Sequence, residues 1–506
     1  MGSESTILNE LAEGAGLGLV GRFAGRVLSI VGDILAARLL GPAVFGVYAI
    51  GWTMFRIVEI VGPMGLDRAV LRFGPAFLTD IDEAAFKNLV IQSTGLALIG
   101  GLLLGCITFA ISPWLANDVF GKSALEAVLK FFAAAFPLAA MLSIVASITR
   151  TRRSVKYAVL IQDLGQPLSA LILLAVLYLA GERLWAVLWS DASSYAFAIF
   201  LGIVFITRLF PFLFSRATVD LSMVPRLLSF SIPVAFGSIF SVLIFWVDRF
   251  FVGYYWPESE VGIYQVASQV SLLFAVILSG LSTILVPMFA TYHHQNDRER
   301  LRTAYCIGNK WGLYLGLPVL VVFFLAPARA ITTLYGGAYQ AGWSPMVILL
   351  LGQTVNLATG ASASLLIMSG QQGPWLKITA ATLALDIALN IWLTPIFGII
   401  GTAAATAIST AILYSSVLST VRLKFGLWPY DFRYSKGILA ACSAAGAVWL
   451  VGLMRFPDPL LLIIQSAVSV LTFGGILFLL GLDDEDKVFL DVLRRRLARF
   501  SALKNG

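Results

Sequence analysis

Arg22 and Arg26 stand four residues apart inside an apolar stretch, so on a helix they share one face. Arg56 falls in the next apolar stretch and Lys310 in a much later one. A cation at the centre of a bilayer costs about 2.5–3.5 kcal/mol on insertion scales, so such residues face a cavity or a partner. If the first two helices line a cavity, their three guanidinium groups form a cationic surface. A pyrophosphate or a sugar carboxylate suits it, because guanidinium forks grip such oxygens bidentately. Internal pairing is the competing reading. Arg26 and Asp33 are two turns apart on one face, and Arg56 and Glu59 form an i, i+3 pair. Both readings stay open for Arg22 and Arg26, while Arg56 leans toward its nearby acid. Lys310 either reaches a cavity or snorkels to the membrane surface.

The acids inside apolar stretches include Asp33, Glu59, Asp163, Asp191, Asp248 and Asp386. Asp33 and Asp248 are candidates for proton or cation coupling, and equally for holding helices together. Asp248 and its neighbour Arg249 are expected to point in different directions and not to pair. Gln162, Asp163, Gln166, Gln353, Asn356, Asp386 and Asn390 either touch a hydrophilic substrate or bond between helices.

No catalytic constellation appears. The two histidines, His293 and His294, are adjacent. Walker A, nucleophile-elbow, HExxH and paired CxxC motifs are missing from the sequence. Cys106, Cys306 and Cys442 suit neither a disulfide framework nor a metal site. The expectation is a protein that is not an enzyme, with no cofactor, no metal and no direct use of ATP.

The elements that carry these residues follow from composition. Of 506 residues, 59% are hydrophobic and 12% charged, with mean hydropathy +0.88. A soluble domain carries roughly twice that share of charge. The chain therefore reads as an all-α integral membrane protein. Apolar runs of spanning length predict about fourteen transmembrane helices, near 15–38, 43–65, 88–112, 124–148, 157–180, 184–207, 227–253, 261–288, 304–326, 342–369, 378–395, 399–421, 437–454 and 459–481. The division at 395–398 rests on a Pro395–Gly398 turn signal. Barrel strands would alternate in polarity, and these runs are uniformly apolar. The first residues, with Glu4, Glu10 and Glu13, lack the basic region of a cleaved signal, so the N-terminus is expected to be retained. From residue 483 onward, apolar residues at helical spacing alternate with Arg494, Arg495, Arg496 and Arg499. That pattern predicts a basic amphipathic helix lying on the inner membrane face.

Charge sets the orientation. Connections after even-numbered spans, together with the tail, hold 24 Lys and Arg residues. Connections after odd-numbered spans hold five: Arg38, Lys122, Arg183, Arg329 and Arg455. The positive-inside rule then puts both termini in the cytoplasm. The net charge of +7 reads as cytoplasmic loops and not as a nucleic-acid surface.

The chain also repeats itself. Val31 to Tyr48 reads V-G-D-I-L-A-A-R-L-L-G-P-A-V-F-G-V-Y, and Trp246 to Tyr264 reads W-V-D-R-F-F-V-G-Y-Y-W-P-E-S-E-V-G-I-Y. Asp33 aligns with Asp248, and Gly46-Val47-Tyr48 aligns with Gly262-Ile263-Tyr264. The offset is six helices. Because six is even, the halves share one orientation about an axis along the membrane normal. The expected units are residues 1–210 and 211–424 as two pseudo-symmetric six-helix lobes, 425–482 as an added helix pair, and 483–506 as the tail. A cavity between the lobes would permit alternating access.

The segment A-A-R-L-L-G-P-A-V-F-G-V-Y-A-I, Ala36 to Ile50, resembles the opening of polysaccharide-transporter flippases of the multidrug/oligosaccharidyl-lipid/polysaccharide superfamily. Fourteen spans, cytoplasmic termini, duplicated lobes and a basic loop between them extend the resemblance over the whole chain. It implies a MATE-like fold and translocation of a polyprenyl-pyrophosphate-linked oligosaccharide across the bacterial inner (plasma) membrane. The substrate-contacting residues would be Arg22, Arg26, Arg56 and Lys310, with Asp33 and Asp248 as coupling sites. Membrane lipids would be its surroundings, a monomer its working form, and a polymerase or ligase a neighbour. A multidrug or cation antiporter and a peptidoglycan-precursor flippase are the rival readings within that superfamily, and a non-transporting membrane scaffold the rival outside it.

Overall fold

Hydrocarbon offers no hydrogen-bond partner, so apolar runs of spanning length must satisfy their backbone groups internally as helices. The structure, a computed structural model, describes residues 2–152, 156–179, 181, 183–214, 220–481 and 483. Among them there is no strand. The first half comprises α1 (Gly2–Val61), α2 (Leu66–Thr79), α3 (Glu83–Trp114) and α4 (Ser123–Arg150). A single turn α5 (Lys156–Ala158) then runs into a π-helical stretch Val159–Gly165, followed by α6 (Gln166–Leu179) and α7 (Arg183–Leu209). The second half comprises α8 (Val224–Trp246), α9 (Asp248–Tyr255), α10 (Glu258–His294), α11 (Arg298–Leu325), α12 (Pro327–Tyr335), α13 (Trp343–Thr359), α14 (Ser362–Met368) and α15 (Gln372–Phe425). The chain closes with α16 (Tyr434–Gly452) and α17 (Asp458–Leu479).

Eleven of the described helices are long and apolar enough to cross a membrane. Two of them are folded in the middle by a single glycine. In α1 the bend is Gly41, with φ 71° and ψ 168°, followed by Pro42. A Cβ at Gly41 would meet nothing within 4 Å. The backbone conformation, not space, therefore calls for glycine there. In α15 the bend is Gly398, at the break expected from the Pro395–Gly398 signal. The first connection was expected as a short outer loop; the helix instead resumes at once on the far side of Gly41. The expected basic tail lies, apart from Asp483, outside the described residues.

In the first half, α3 packs along α4, α4 along α1 and α7, and α6 along α7. In the second, α10 packs on α11 and α13, α13 lies along α15, and α8 and α9 lean on α15. The seam between them is chiefly α1 against α10, with α1 and α2 also touching α8. The last two helices, α16 and α17, pair with each other and rest on α11. The largest cluster of buried apolar side chains straddles the seam, from Phe45 and Ile50 to Val261 and Tyr264.

Candidate functional site

One feature of the inner arm of α1 sets up the site. A Cβ on Gly25 would fall 1.6 Å from the carbonyl oxygen of Asp163. The arm therefore lies directly on the π-helical stretch, whose extra residue per turn turns Gln162 and Asp163 toward α1. The result is a cavity of about 380 Å³. Its lining includes Arg22, Arg26, Ser29 and Asp33 from the inner arm of α1, and Tyr48, Trp52, Arg56 and Glu59 from the outer arm. Gln162, Asp163 and Gln166 come from the π-helical stretch and the start of α6; Asp191 and Tyr195 come from α7. The second half contributes only Trp246 and Gln269. The cavity was expected between two lobes; it is built mostly by the first half and only capped by the second.

All three arginines of the first two spans line it, as does Asp33. Their engagement differs. Arg56 donates from Nη1 to Glu59 Oε2 at 2.5 Å, and Glu59 Oε1 also accepts from the Tyr195 hydroxyl at 2.9 Å. Arg22 Nε stands 3.9 Å from Asp163 Oδ2, too far for a hydrogen bond. Arg26 is half-buried and, among the described residues, has no ion pair and no hydrogen bond. Its expected pairing with Asp33 is electrostatic and not a direct contact: the two charges act on each other across the cavity, while Asp33 Oδ2 accepts from Gln269 Nε2 at 2.8 Å. Asp191 Oδ2 accepts from the Tyr48 hydroxyl at 2.7 Å.

The surface is consequently mixed in charge and not purely cationic as expected. Three guanidinium groups face four carboxylates, Asp33, Glu59, Asp163 and Asp191. The arginines are neighbours in sequence and so were visible; two of the acids arrive from helices more than a hundred residues away. Glu59, Asp33 and Asp191 each already accept from a neighbour, and Arg26 is the cavity guanidinium whose donors make no hydrogen bond among the described residues.

Two other candidates lie elsewhere. Lys310 was expected in the cavity and is not there. It is buried in α11, 3% exposed, and donates to Asp483 Oδ2 at 3.0 Å, where the chain leaves α17. Asp248 is also outside the cavity. It pairs with Arg249 at 2.6 Å, against the expectation that the two point apart. Val247 between α8 and α9 keeps helical dihedrals (φ −67°, ψ −29°), and the Arg249 side chain folds back along the helix toward Phe245. Its Nη1 also reaches the Phe245 carbonyl at 2.5 Å, Nε reaches Gln265 at 2.8 Å, and Nη2 reaches Ser268 at 2.6 Å. Asp248 Oδ2 accepts from the Tyr264 hydroxyl at 2.6 Å. On the same half, Asp386 Oδ2 accepts from Asn390 at 3.2 Å, while its buried Oδ1 has no partner among the described residues. Gln353, Asn356, Asp386 and Asn390 do not line the cavity.

The opposite end of the seam is tied shut. Arg38 donates to the Leu334 carbonyl at 2.7 Å and to that of Thr333, and the Tyr339 hydroxyl donates to the Ala37 carbonyl at 2.7 Å. Lys122 Nζ donates to the Gly253 carbonyl at 2.5 Å. Two of the five basic residues expected on the outer side therefore work as bridges between the halves.

A family model described as "Polysaccharide biosynthesis protein" matches residues 34–345. The chain belongs to that family. The polysaccharide biosynthesis match begins just after Arg22, Arg26 and Asp33. Among individual relatives, the probable low-salt glycan biosynthesis flippase Agl15 of Haloferax volcanii is 24% identical over 41% of this chain and 45% of its own length. The succinoglycan biosynthesis transport protein ExoT of Rhizobium meliloti is 23% identical over 63% of this chain and 62% of its own. The matches thus span about half to three-fifths of these curated relatives. The fold is shared with the lipid II flippase MurJ in an inward closed conformation, with TM-score 0.73 at 16% identity over 91% of this chain and 97% of that one. It is also shared with an inward-facing multidrug resistance MATE family transporter, with TM-score 0.66 at 15% identity over 81% and 98%. This family member is accordingly a multi-pass membrane protein with a MATE-like helical fold.

Several lining residues had no individual signal in the sequence. Trp52, Trp246, Tyr48 and Tyr195 look like ordinary apolar-run aromatics, and Gln269 like one more polar residue in α10.

Proposed function

We propose that this protein is a flippase that carries a polyprenyl-pyrophosphate-linked oligosaccharide from the inner to the outer leaflet of the plasma membrane. Arg26 carries the reading: a guanidinium that makes no hydrogen bond and no close ion pair among the described residues, facing a polar cavity inside the bilayer. Burying donors that make no hydrogen bond is costly unless a ligand takes them up. A diphosphate does so bidentately. Arg22, loosely facing Asp163, can join it by exchanging that acid for a phosphate oxygen. Arg56 is committed to Glu59 and serves to hold the cavity wall. The outer bridges and the inner position of Arg22 and Arg26 fit a cavity that loads from the cytoplasm, with both termini inside. Residues 1–210 and 211–424 would be the two rocking lobes of a monomer. The relatives' names, a probable glycan biosynthesis flippase and a succinoglycan biosynthesis transport protein, support a glycan as the cargo.

The rival readings make different demands. A drug-cation extruder needs an acidic cavity with no free arginine. A scaffold needs none of these side chains. The test is Arg22→Ala with Arg26→Ala in proteoliposomes loaded with a polyprenyl-pyrophosphoryl oligosaccharide, with glycan arrival read by lectin on the opposite face. The double variant is expected to fold and to lose translocation. Translocation at the unaltered rate would overturn the proposal.

A further inference from the structure

Arg249 is an expensive residue that the cavity chemistry does not use. It is fully buried, and Gln265, Ser268, Asp248 and the Phe245 carbonyl hold its donors. Its guanidinium carbon lies 4.6 Å from the centroid of the Trp246 ring. Trp246 lines the cavity and Arg249 does not. The indole therefore stands between the buried cation and the cavity, clamped from behind by a group that cannot move without breaking four hydrogen bonds.

We propose that Trp246 and Gln269 form a saccharide subsite, which takes the sugar ring next to the pyrophosphate held by Arg22 and Arg26. This rests on the flippase reading above and assigns the second wall of the same cavity. A pyranose presents an apolar C–H face and a rim of hydroxyls. The negative π-face of an indole attracts such C–H bonds and excludes water from them. A cation would also be drawn to an aromatic face. Here Arg249, its charge balanced by Asp248 at 2.6 Å, already occupies one face of the ring. The other face is left for the apolar C–H side of a sugar ring. Gln269 adds an amide that can both donate to and accept from hydroxyls. It already reaches Asp33 across the seam at 2.8 Å. Neither residue carries charge, so the charge-assisted bonds to the diphosphate come from the arginines. The first half holds the anion and the second half holds the sugar.

The experiment measures binding to the full chain in nanodiscs. The ligands are polyprenyl pyrophosphate, and the same lipid bearing glucose, galactose or N-acetylglucosamine. The unaltered protein should bind at least one sugar-bearing lipid about tenfold tighter than the sugar-free lipid. Trp246→Leu should erase that gain, so that sugar-bearing and sugar-free lipids bind alike, and Gln269→Leu should reduce it. Trp246→Phe, which keeps an aromatic face, should retain part of it and serves if the leucine variant fails to fold. Equal binding of all four lipids by the unaltered protein overturns the subsite. So does a Trp246→Leu variant that weakens sugar-free binding as much as sugar-bearing binding. Arg22→Ala with Arg26→Ala should weaken all four lipids. Unchanged sugar-free binding in that variant would sink the diphosphate reading, whatever the tryptophan variants do.

Discussion

Gly46 and Gly262 pack against each other's backbones with reciprocal geometry. A Cβ on Gly46 would fall 1.7 Å from the carbonyl oxygen of Glu258, and one on Gly262 would fall 2.1 Å from that of Pro42. Each carbonyl stands four residues before the opposite glycine. The two glycines are the aligned positions of the internal repeat, so the contact is self-complementary in the way two-fold interfaces are. It sits where α1, just past its Gly41 bend, meets the first turns of α10, close to the bridges made by Arg38, Lys122 and Tyr339.

This relationship predicts the effect of single methyl groups. Gly46→Ala and Gly262→Ala should each force the seam apart at its closest approach. Each should destabilise the protein by about 1–3 kcal/mol, the usual range for overpacking. Because either methyl group opens the same contact, the double variant should cost clearly less than the two single costs added together. Thermal melting in detergent measures this. Full additivity would show that the two glycines occupy independent environments.

The Asp248–Arg249 pair predicts a different pattern. Removing one member leaves a charge in a dry site, a loss typically of about 3–5 kcal/mol, whereas replacing both with apolar residues is often neutral. Asp248→Asn should therefore melt well below the unaltered protein, and Asp248→Leu with Arg249→Met should recover much of the loss. If the double variant is the least stable of the series, the pair is not the unit that the hydrogen bonds describe. The same double variant frees Trp246 from its clamp, so its recovered stability should not bring recovered discrimination between sugar-bearing and sugar-free lipids.

Much of the fold was legible because hydropathy speaks directly to helix length, and each expected span falls on a described helix, an arm of one or two in succession. The Pro395–Gly398 signal located a real break. Arg22, Arg26, Arg56 and Asp33 were legible as cavity residues because a charge in an apolar run must face either a cavity or a partner. What was hidden depends on side chains meeting across long separations. Asp191 reaches Tyr48 from 143 residues away, and Asp483 reaches Lys310 from 173. The Asp248–Arg249 pair was hidden because a helical wheel separates adjacent residues, whereas the long arginine side chain folds back along the helix to reach both Asp248 and the Phe245 carbonyl. No wheel shows that an indole is held from behind by a buried arginine.

Asp483 gives the last prediction, at the root of the tail. Its two oxygens accept from Lys436 at 2.8 Å and Lys310 at 3.0 Å. Partial burial pushes its carboxyl up, but the bonds from the two lysines outweigh that and hold it below the usual carboxylate range. A group whose folded value is depressed stabilises the fold above its unfolded value and loses that contribution as pH falls through the folded one. The tie is thus complete at neutral pH and fades below about pH 4, the ordinary value for an aspartate. Asp483→Asn should lower stability at pH 7 by about 1–3 kcal/mol, the scale of hydrogen bonds to charged groups. The gap between variant and unaltered protein should narrow as the pH is taken toward 3. Melting curves of both proteins across that range decide it: a gap that stays constant with pH would mean that the carboxylate charge is not what fastens α17 to α11 and α16.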